Sequence, residues 1–278
     1  MYLVIDIGGT KTLIATFNGR GRILRKFKFK TPSSKSEFLG TLKSALVPFS
    51  MKYRNKTSQI IIAVPGEIKD NVAVKFGNRP WKNLDFVQEL KNLFTCPIIL
   101  KNDADLATVY ESSFHKGLTL YLTFSTGIGG GLARHGVLAR NSAAVEPGHI
   151  YYIYDGKSAE WEDIASCSAI GAHYGCQATS VRGRDAYSDI AHRVSLGLPE
   201  LIQRYRPDCI VIGGPLAVLF PHYIKELRTL TRQNLPASRR LPRLVPAHRP
   251  HEAVIYGGYT LAKSLNKPHK QKASHLGQ

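Results

Sequence analysis

Two glycine-rich segments carry hydroxyls and charges in patterns suited to holding phosphate. The first is Asp6-Ile7-Gly8-Gly9-Thr10-Lys11-Thr12, and the second is Thr123-Phe124-Ser125-Thr126-Gly127-Ile128-Gly129-Gly130-Gly131. Glycine permits positive φ, which lets successive N–H groups point into one concavity that fits phosphate oxygens. Thr10 and Thr126 add hydroxyl donors, and Lys11 adds a charge. Neither segment is a Walker A loop, since GxxxxGK[ST] is absent. Neither is a dinucleotide fingerprint, because each turn leads into another strand and not into a helix. Either segment alone reads more simply as a tight hairpin. Two of them, facing each other across a cleft, could grip one polyphosphate from both sides.

Phosphoryl transfer also needs a group to take the acceptor's proton, often a carboxylate. Lys101-Asn102-Asp103-Ala104-Asp105 follows an apolar run and opens a helical pattern. It reads as a helix N-cap by Asn102 or Asp103, worth about 1 kcal/mol, as a base at a strand end, or as both. A third cluster is Glu146-Pro147-Gly148-His149, joined by Glu162. Carboxylate and imidazole can hold vicinal sugar hydroxyls and discriminate between hydroxyl patterns. A purely structural His–Glu pair is the alternative. Metal binding through His149 lacks cysteine or histidine companions at ligand spacing.

The elements that must position these groups alternate along the chain. Residues 2–7 read as a strand, apolar residues resume at Leu13-Ile14-Ala15, and a third strand alternates Ile23, Arg25, Phe27 and Phe29 with lysines. A helix is expected over residues 36–47, ending near Pro48. Strands follow at 59–64 and 98–101, with helices at 84–94 and 103–116. The opening pattern then recurs as strand 118–124, glycine turn 125–131 and extended segment 132–138. Helices are expected near 161–174 and 184–205, strands at 209–212 and 241–245, a helix starting near Pro215, and a last helix over 252–264. Two halves of this kind predict a duplicated α/β unit.

Composition sets outer limits. The chain has 278 residues, 43% of them hydrophobic, which suits a globular protein and disfavours a disordered one. No apolar run approaches the roughly 18 residues of a spanning helix, and no secretory leader is legible at residues 1–17. Four scattered cysteines without a CxxC pair argue against a disulfide framework, so a reducing, cytoplasmic setting is expected. The net charge is +18, with eleven basic residues and one acid between Arg20 and Lys56. Such a field attracts nucleotides, polyphosphate or other polyanions, and gives only non-specific affinity for nucleic acid.

Taken together the motifs resemble the ROK family (repressor, open reading frame, kinase) over nearly the whole chain. Asp6 to Lys11 is similar to its first phosphate motif and Ser125 to Gly131 to its second. Asn102-Asp103-Ala104 resembles the catalytic segment, Glu146-Pro147-Gly148-His149 the ExGH sugar motif, and Glu162-Asp163-Ile164-Ala165-Ser166 the segment with a further sugar-binding glutamate. Asp208 to Gly214 resembles the strand and turn beside the adenosine, and Asn78-Arg79-Pro80-Trp81 a small-domain loop near the sugar. The resemblance implies a duplicated actin-like, sugar-kinase ATPase fold. It places a small lobe at 1–112, joined by a C-terminal helix at about 252–265, a large lobe at 113–251, and a basic, flexible tail at 266–278.

It also implies a hexose kinase acting at the 6-hydroxyl of glucose or a related hexose, with Asp103 as general base. Asn78, Asn102, Asp103, Glu146, His149 and Glu162 would hold the sugar. Asp6, Gly8, Gly9, Thr10, Lys11, Thr126, Gly127, Gly213 and Gly214 would serve phosphate and nucleotide, with Mg²⁺ near Asp6, directly or through water. The donor would be ATP, or polyphosphate as the alternative; a homodimer is typical. The family's CxCGxxGC zinc loop is missing, because residues 150–161 hold no cysteine and the interval is short. No zinc is expected, and His149 must be oriented by another contact. The interval is loosely similar to that of polyphosphate glucokinases. The family also contains repressors, which carry a DNA-binding domain ahead of the sugar-binding body; with the first strand at residue 2, a kinase is expected over a sugar-binding regulator.

Overall fold

The earliest apolar runs build the first sheet. In this computed structural model, which describes residues 1–77, 79–142 and 145–266, β1 (Tyr2–Ile7) pairs antiparallel with β2 (Lys11–Phe17), and β2 with β3 (Ile23–Lys30). Lysines on β3, an edge strand, discourage pairing with another chain. In α1 (Lys35–Tyr53), Ser34 caps the first turn by accepting from the Glu37 N–H, and Phe38, Leu42, Leu46 and Phe49 form one buried stripe. Next, β4 (Gln59–Val64) is buried on both faces and runs parallel to β1. A small antiparallel sheet follows, made of β5 (Ile68–Lys69), β6 (Val72–Phe76) and β7 (Arg79–Leu84). The short α2 (Phe86–Leu90), capped by Asp85, leads to β8 (Ile98–Asn102), which pairs parallel with β4. The sheet order is β3-β2-β1-β4-β8.

Helix α3 (Asp103–Ser112) carries the chain to a second sheet. There β9 (Leu118–Phe124), β10 (Ile128–Arg134) and β11 (Val137–Leu138) repeat the antiparallel start. The hairpin β12 (Tyr151–Tyr154) and β13 (Lys157–Glu160) stands apart, followed by α4 (Trp161–Ala165), α5 (Cys167–Tyr174), α6 (Arg184–Ser195) and α7 (Leu198–Tyr205). Then β14 (Cys209–Gly213) joins β9 in parallel, α8 (Phe220–Gln233) covers the sheet, and β15 (Arg243–Pro246) closes it. The order β11-β10-β9-β14-β15 matches the first sheet strand for strand, which is the duplication expected from the sequence. Finally α9 (Ala253–Leu265) returns to pack on β1, β4 and α3. A Cβ on Gly257 would collide with the Leu106 carbonyl, so glycine allows α3 and α9 to touch backbone to backbone. Each sheet has its own apolar core, and a third core lies under α9.

Several elements depart from the sequence expectation. Helix α1 does not end near Pro48 but continues through it to Tyr53, because Phe49 and Ser50 are buried and tertiary packing outweighs the lost hydrogen bond. The helix expected at 84–94 is only five residues long. The segment 161–174 splits at Ser166, whose hydroxyl accepts from the Ala169 N–H and restarts the helix. The segment 184–205 breaks at Gly197, where a Cβ would strike the Trp161 ring. Among the described residues, no helix is long and apolar enough to cross a membrane. The tail expected at 266–278 lies, from residue 267 on, outside the described residues.

Candidate active site

The carboxyl ends of β1, β4 and β8 in the first sheet and of β9 in the second meet at one cleft of about 960 Å³, the usual place for ligands in α/β sheets. Gly8, Gly9 and Thr10 line one side, and Ser125, Thr126 and Gly127 another. Both loops close hairpins: Gly8 donates to the Lys11 carbonyl at 3.0 Å, and Ser125 to the Gly127 carbonyl at 2.9 Å. Contrary to the sequence argument, none of Gly8, Gly9 and Gly127 has positive φ. What Gly127 provides is space, since an added Cβ would collide with the Glu162 carboxylate. The first loop is braced from outside. Thr31 donates its N–H to the Thr10 carbonyl and its hydroxyl to Gly8, each at 2.9 Å, while Arg79 donates to the Gly9 and Thr31 carbonyls.

Asp103 lies at the first position of α3 on the cleft wall. Asn102 is the N-cap: its Oδ1 accepts from the N–H groups of Ala104 (2.9 Å) and Asp105 (3.2 Å), and its Nδ2 donates to the Gly66 carbonyl at 3.3 Å. The Asp103 Oδ1 also accepts from Ala104 N–H, at 2.8 Å. Burial raises the Asp103 carboxyl above the ordinary carboxylate range, opposed by backbone hydrogen bonds and reinforced by Asp105 and Glu146. Asp6, at the end of β1, is pushed up to about 7, first by burial and then by the charge of Asp103, with Lys28 opposing. Two carboxylates that repel each other beside the glycine loops form a donor set that fits a hard divalent cation.

The cleft wall also carries Glu146, His149 and Glu162. The Glu162 Oε2 accepts from Ile128 N–H at 3.2 Å, so it ties the second glycine loop to this wall. His149 is more than half exposed, and its Nδ1 lies 3.0 Å from Glu160 Oε2. That hydrogen bond raises the His149 pKa, partly offset by burial, and the same bond lowers that of Glu160. Glu160 sits at the end of the β12–β13 hairpin, whose turn residues Asp155 and Gly156 both have positive φ (49° and 73°). The contact orienting His149 is therefore a carboxylate delivered by a short hairpin. His149, Glu160 and Glu162 also bring ligand atoms within 4.8 Å of one another.

The cleft thus gathers Gly8, Gly9, Thr10, Asn102, Asp103, Thr126, Gly127, Glu146, His149 and Glu162 from the sequence reading. Asp6 is not on the lining surface and acts on it through charge. Lys11 is exposed on β2 and does not line the cleft. Gly213 and Gly214 also lie off it, packed behind the second loop, where Cβ atoms would strike the Tyr121 hydroxyl and the Phe124 carbonyl. Asn78 lies outside the described residues. Sequence reasoning did not find Glu160, Thr31, Arg79 as a brace, or Ser142, which accepts from Leu132 N–H at 3.1 Å and donates to Asp105 at 2.9 Å. No local motif marks these residues; each acts on a partner distant in sequence.

A two-sheet duplicated architecture with its cleft at matched strand ends is the actin-like ATPase fold shared by ROK sugar kinases, and the comparisons agree. The ROK family profile matches residues 2–265, and the chain belongs to the ROK family. It is 28% identical to an N-acetylmannosamine kinase of Shigella boydii serotype 18, over 94% of this chain and 98% of that protein. It is 25% identical to a fructokinase of Lactococcus lactis subsp. cremoris, over 95% and 97%. Its fold is similar to that of a ROK family glucokinase from Streptomyces griseus in complex with glucose and AMPPNP, with TM-score 0.75, 22% identity and coverage of 94% and 99%. By family and fold the chain is a sugar-kinase-type phosphotransferase.

Proposed function

We propose that this protein transfers the terminal phosphoryl group of ATP to the 6-hydroxyl of a hexose, with Asp103 as general base. The observation that carries this reading is the placement of Asp103 in one cleft with both glycine loops and the Glu146–His149–Glu162 wall. Asp103 Oδ1 is engaged by the Ala104 N–H, which leaves Oδ2 to accept the hydroxyl proton as the sugar oxygen attacks phosphorus. The raised pKa makes the carboxylate a stronger base than a solvated one. Glu146, His149 and Glu162 orient the remaining hydroxyls, and the N–H groups of the two loops hold the phosphates. Mg²⁺, held by Asp6 directly or through water, would supply charge neutralisation on the donor. Closure of the cleft would exclude water as a competing acceptor.

The relatives' names span N-acetylmannosamine, fructose and glucose, and glucose is the hexose proposed here for this chain. One feature favours polyphosphate as a second donor. The β2–β3 register sets Lys11 opposite Lys30, Leu13 opposite Lys28 and Ala15 opposite Lys26, so lysines step along one face of β3 away from the first loop. Residues two apart on a strand are roughly 6.6 Å apart, a spacing along which an anion longer than a triphosphate can lie. The test is an activity matrix of glucose, N-acetylmannosamine, mannose and fructose against ATP and polyphosphate. Sugar phosphate in any cell supports the kinase reading. Sugar binding with no turnover in any cell would instead identify a sugar-responsive binding protein.

A further inference from the structure

We infer that Glu111, His115 and His248 form a divalent-metal site of the zinc type, separate from the cleft, where the chain passes between its two sheets. Glu111 lies in the last turn of α3, His115 in the turn that follows that helix, and His248 in the loop between β15 and α9. One ligand atom from each of the three lies within 4.8 Å of the other two. The Glu111 side chain is fully buried, and among the described residues no Lys or Arg pairs with it. Its Oε2 accepts from His248 N–H at 2.9 Å and lies 3.2 Å from His248 Nδ1, and its Oε1 accepts from Arg249 N–H at 3.1 Å. The Arg249 guanidinium turns away, to Tyr110 and Glu252. A buried carboxylate in that position calls for a cation.

His115 supplies the second, independent observation. It is only 8% exposed, and its Nε2 is a buried nitrogen with no hydrogen-bond partner. Its other nitrogen, Nδ1, lies 3.4 Å from Arg243, a long contact to an exposed side chain that can swing into solvent. Two imidazoles and a carboxylate form a borderline donor set typical of Zn²⁺. Zinc–nitrogen and zinc–oxygen bonds of about 2.0–2.1 Å place tetrahedral ligands about 3.3 Å apart, close to the Glu111–His248 separation. His248 is half exposed, which leaves an entry path and room for water as a fourth ligand, and stacking on Phe114 at 4.2 Å fixes its ring. A bound ion would tie α3 to the approach of α9, the two crossings between the sheets.

The test is titration of chelator-treated protein with Co²⁺ alone, read by visible d–d absorption, then with Zn²⁺ to displace it. The expected result is one tightly bound equivalent and a metal-dependent rise in Tm. His248→Ala changes an exposed side chain and should weaken binding by at least about tenfold. Glu111→Gln should do the same, with circular dichroism showing that it folds. His149→Ala and Glu160→Gln, which remove ligands from the cleft cluster, should leave the Co²⁺ spectrum intact. Absence of d–d bands in the wild type would overturn the inference. So would a spectrum that survives His248→Ala or is lost with His149→Ala.

Discussion

Replacing Asp6 by asparagine tests whether the carboxyl beneath the first glycine loop is buried at a cost to stability. Burial and the Asp103 charge push this carboxyl from 3.8 up to about 7. Between those values the folded chain keeps a proton that the unfolded chain has lost. Stability therefore falls as pH rises through that window and levels off above it. About three pKa units at about 1.4 kcal/mol each set a ceiling of ~4 kcal/mol. Asp6 keeps some exposure, and solvent screening reduces the expected penalty to ~1–3 kcal/mol. Asparagine has nearly the same shape and no charge. At about 2–4 °C per kcal/mol for a chain of this size, Asp6→Asn should melt several degrees above wild type at pH 8. The two curves should converge towards pH 4. Thermal melts from pH 4 to 8.5 without nucleotide measure this directly. Equal melting temperatures at pH 8, or a gap that persists on acidification, would refute the reasoning. The same variant should bind Mg²⁺–nucleotide poorly, because the group it removes is the proposed metal ligand.

Three further outcomes follow from the same geometry. Asp103→Asn should lower kcat by ~10²–10⁴ while sugar binding by calorimetry stays near wild type; retained turnover would remove Asp103 as the base. Glu160→Gln should lower the His149 pKa seen by NMR. The ion pair is fully formed below the ordinary histidine value of 6.5 and is lost as pH rises through the raised one, so the pH profile of the sugar KM should move towards acid with kcat little changed. An unaltered His149 titration would count against this pairing. Pro48→Ala should raise Tm, by ~1–2 kcal/mol of stability, because an exposed proline inside α1 costs a hydrogen bond and a steric clash. A lowered Tm would refute a net cost of Pro48 to α1.

Much of this protein is written locally. The two glycine loops, the hairpins they close, the Asn102–Asp103 helix start and the repeated strand–turn–strand pattern follow from short-range stereochemistry and from hydrophobic period, legible in windows of about 11–18 residues. Helix ends are less legible, because Pro48, Ser166 and Gly197 terminate or continue a helix according to what packs against them. The partner of His149 could not be read at all, since Glu160 reaches it only once a β-hairpin with two left-handed turn residues has formed. The bracing of the first loop by Thr31 and Arg79 and the clustering of Glu111 with His248 likewise depend on residues 23 to 137 positions apart. Sequence determines what a residue can do and which local shape it favours. Only the closed fold, by bringing distant charges into a space with little water, decides which carboxylate gains basicity and which imidazole is held.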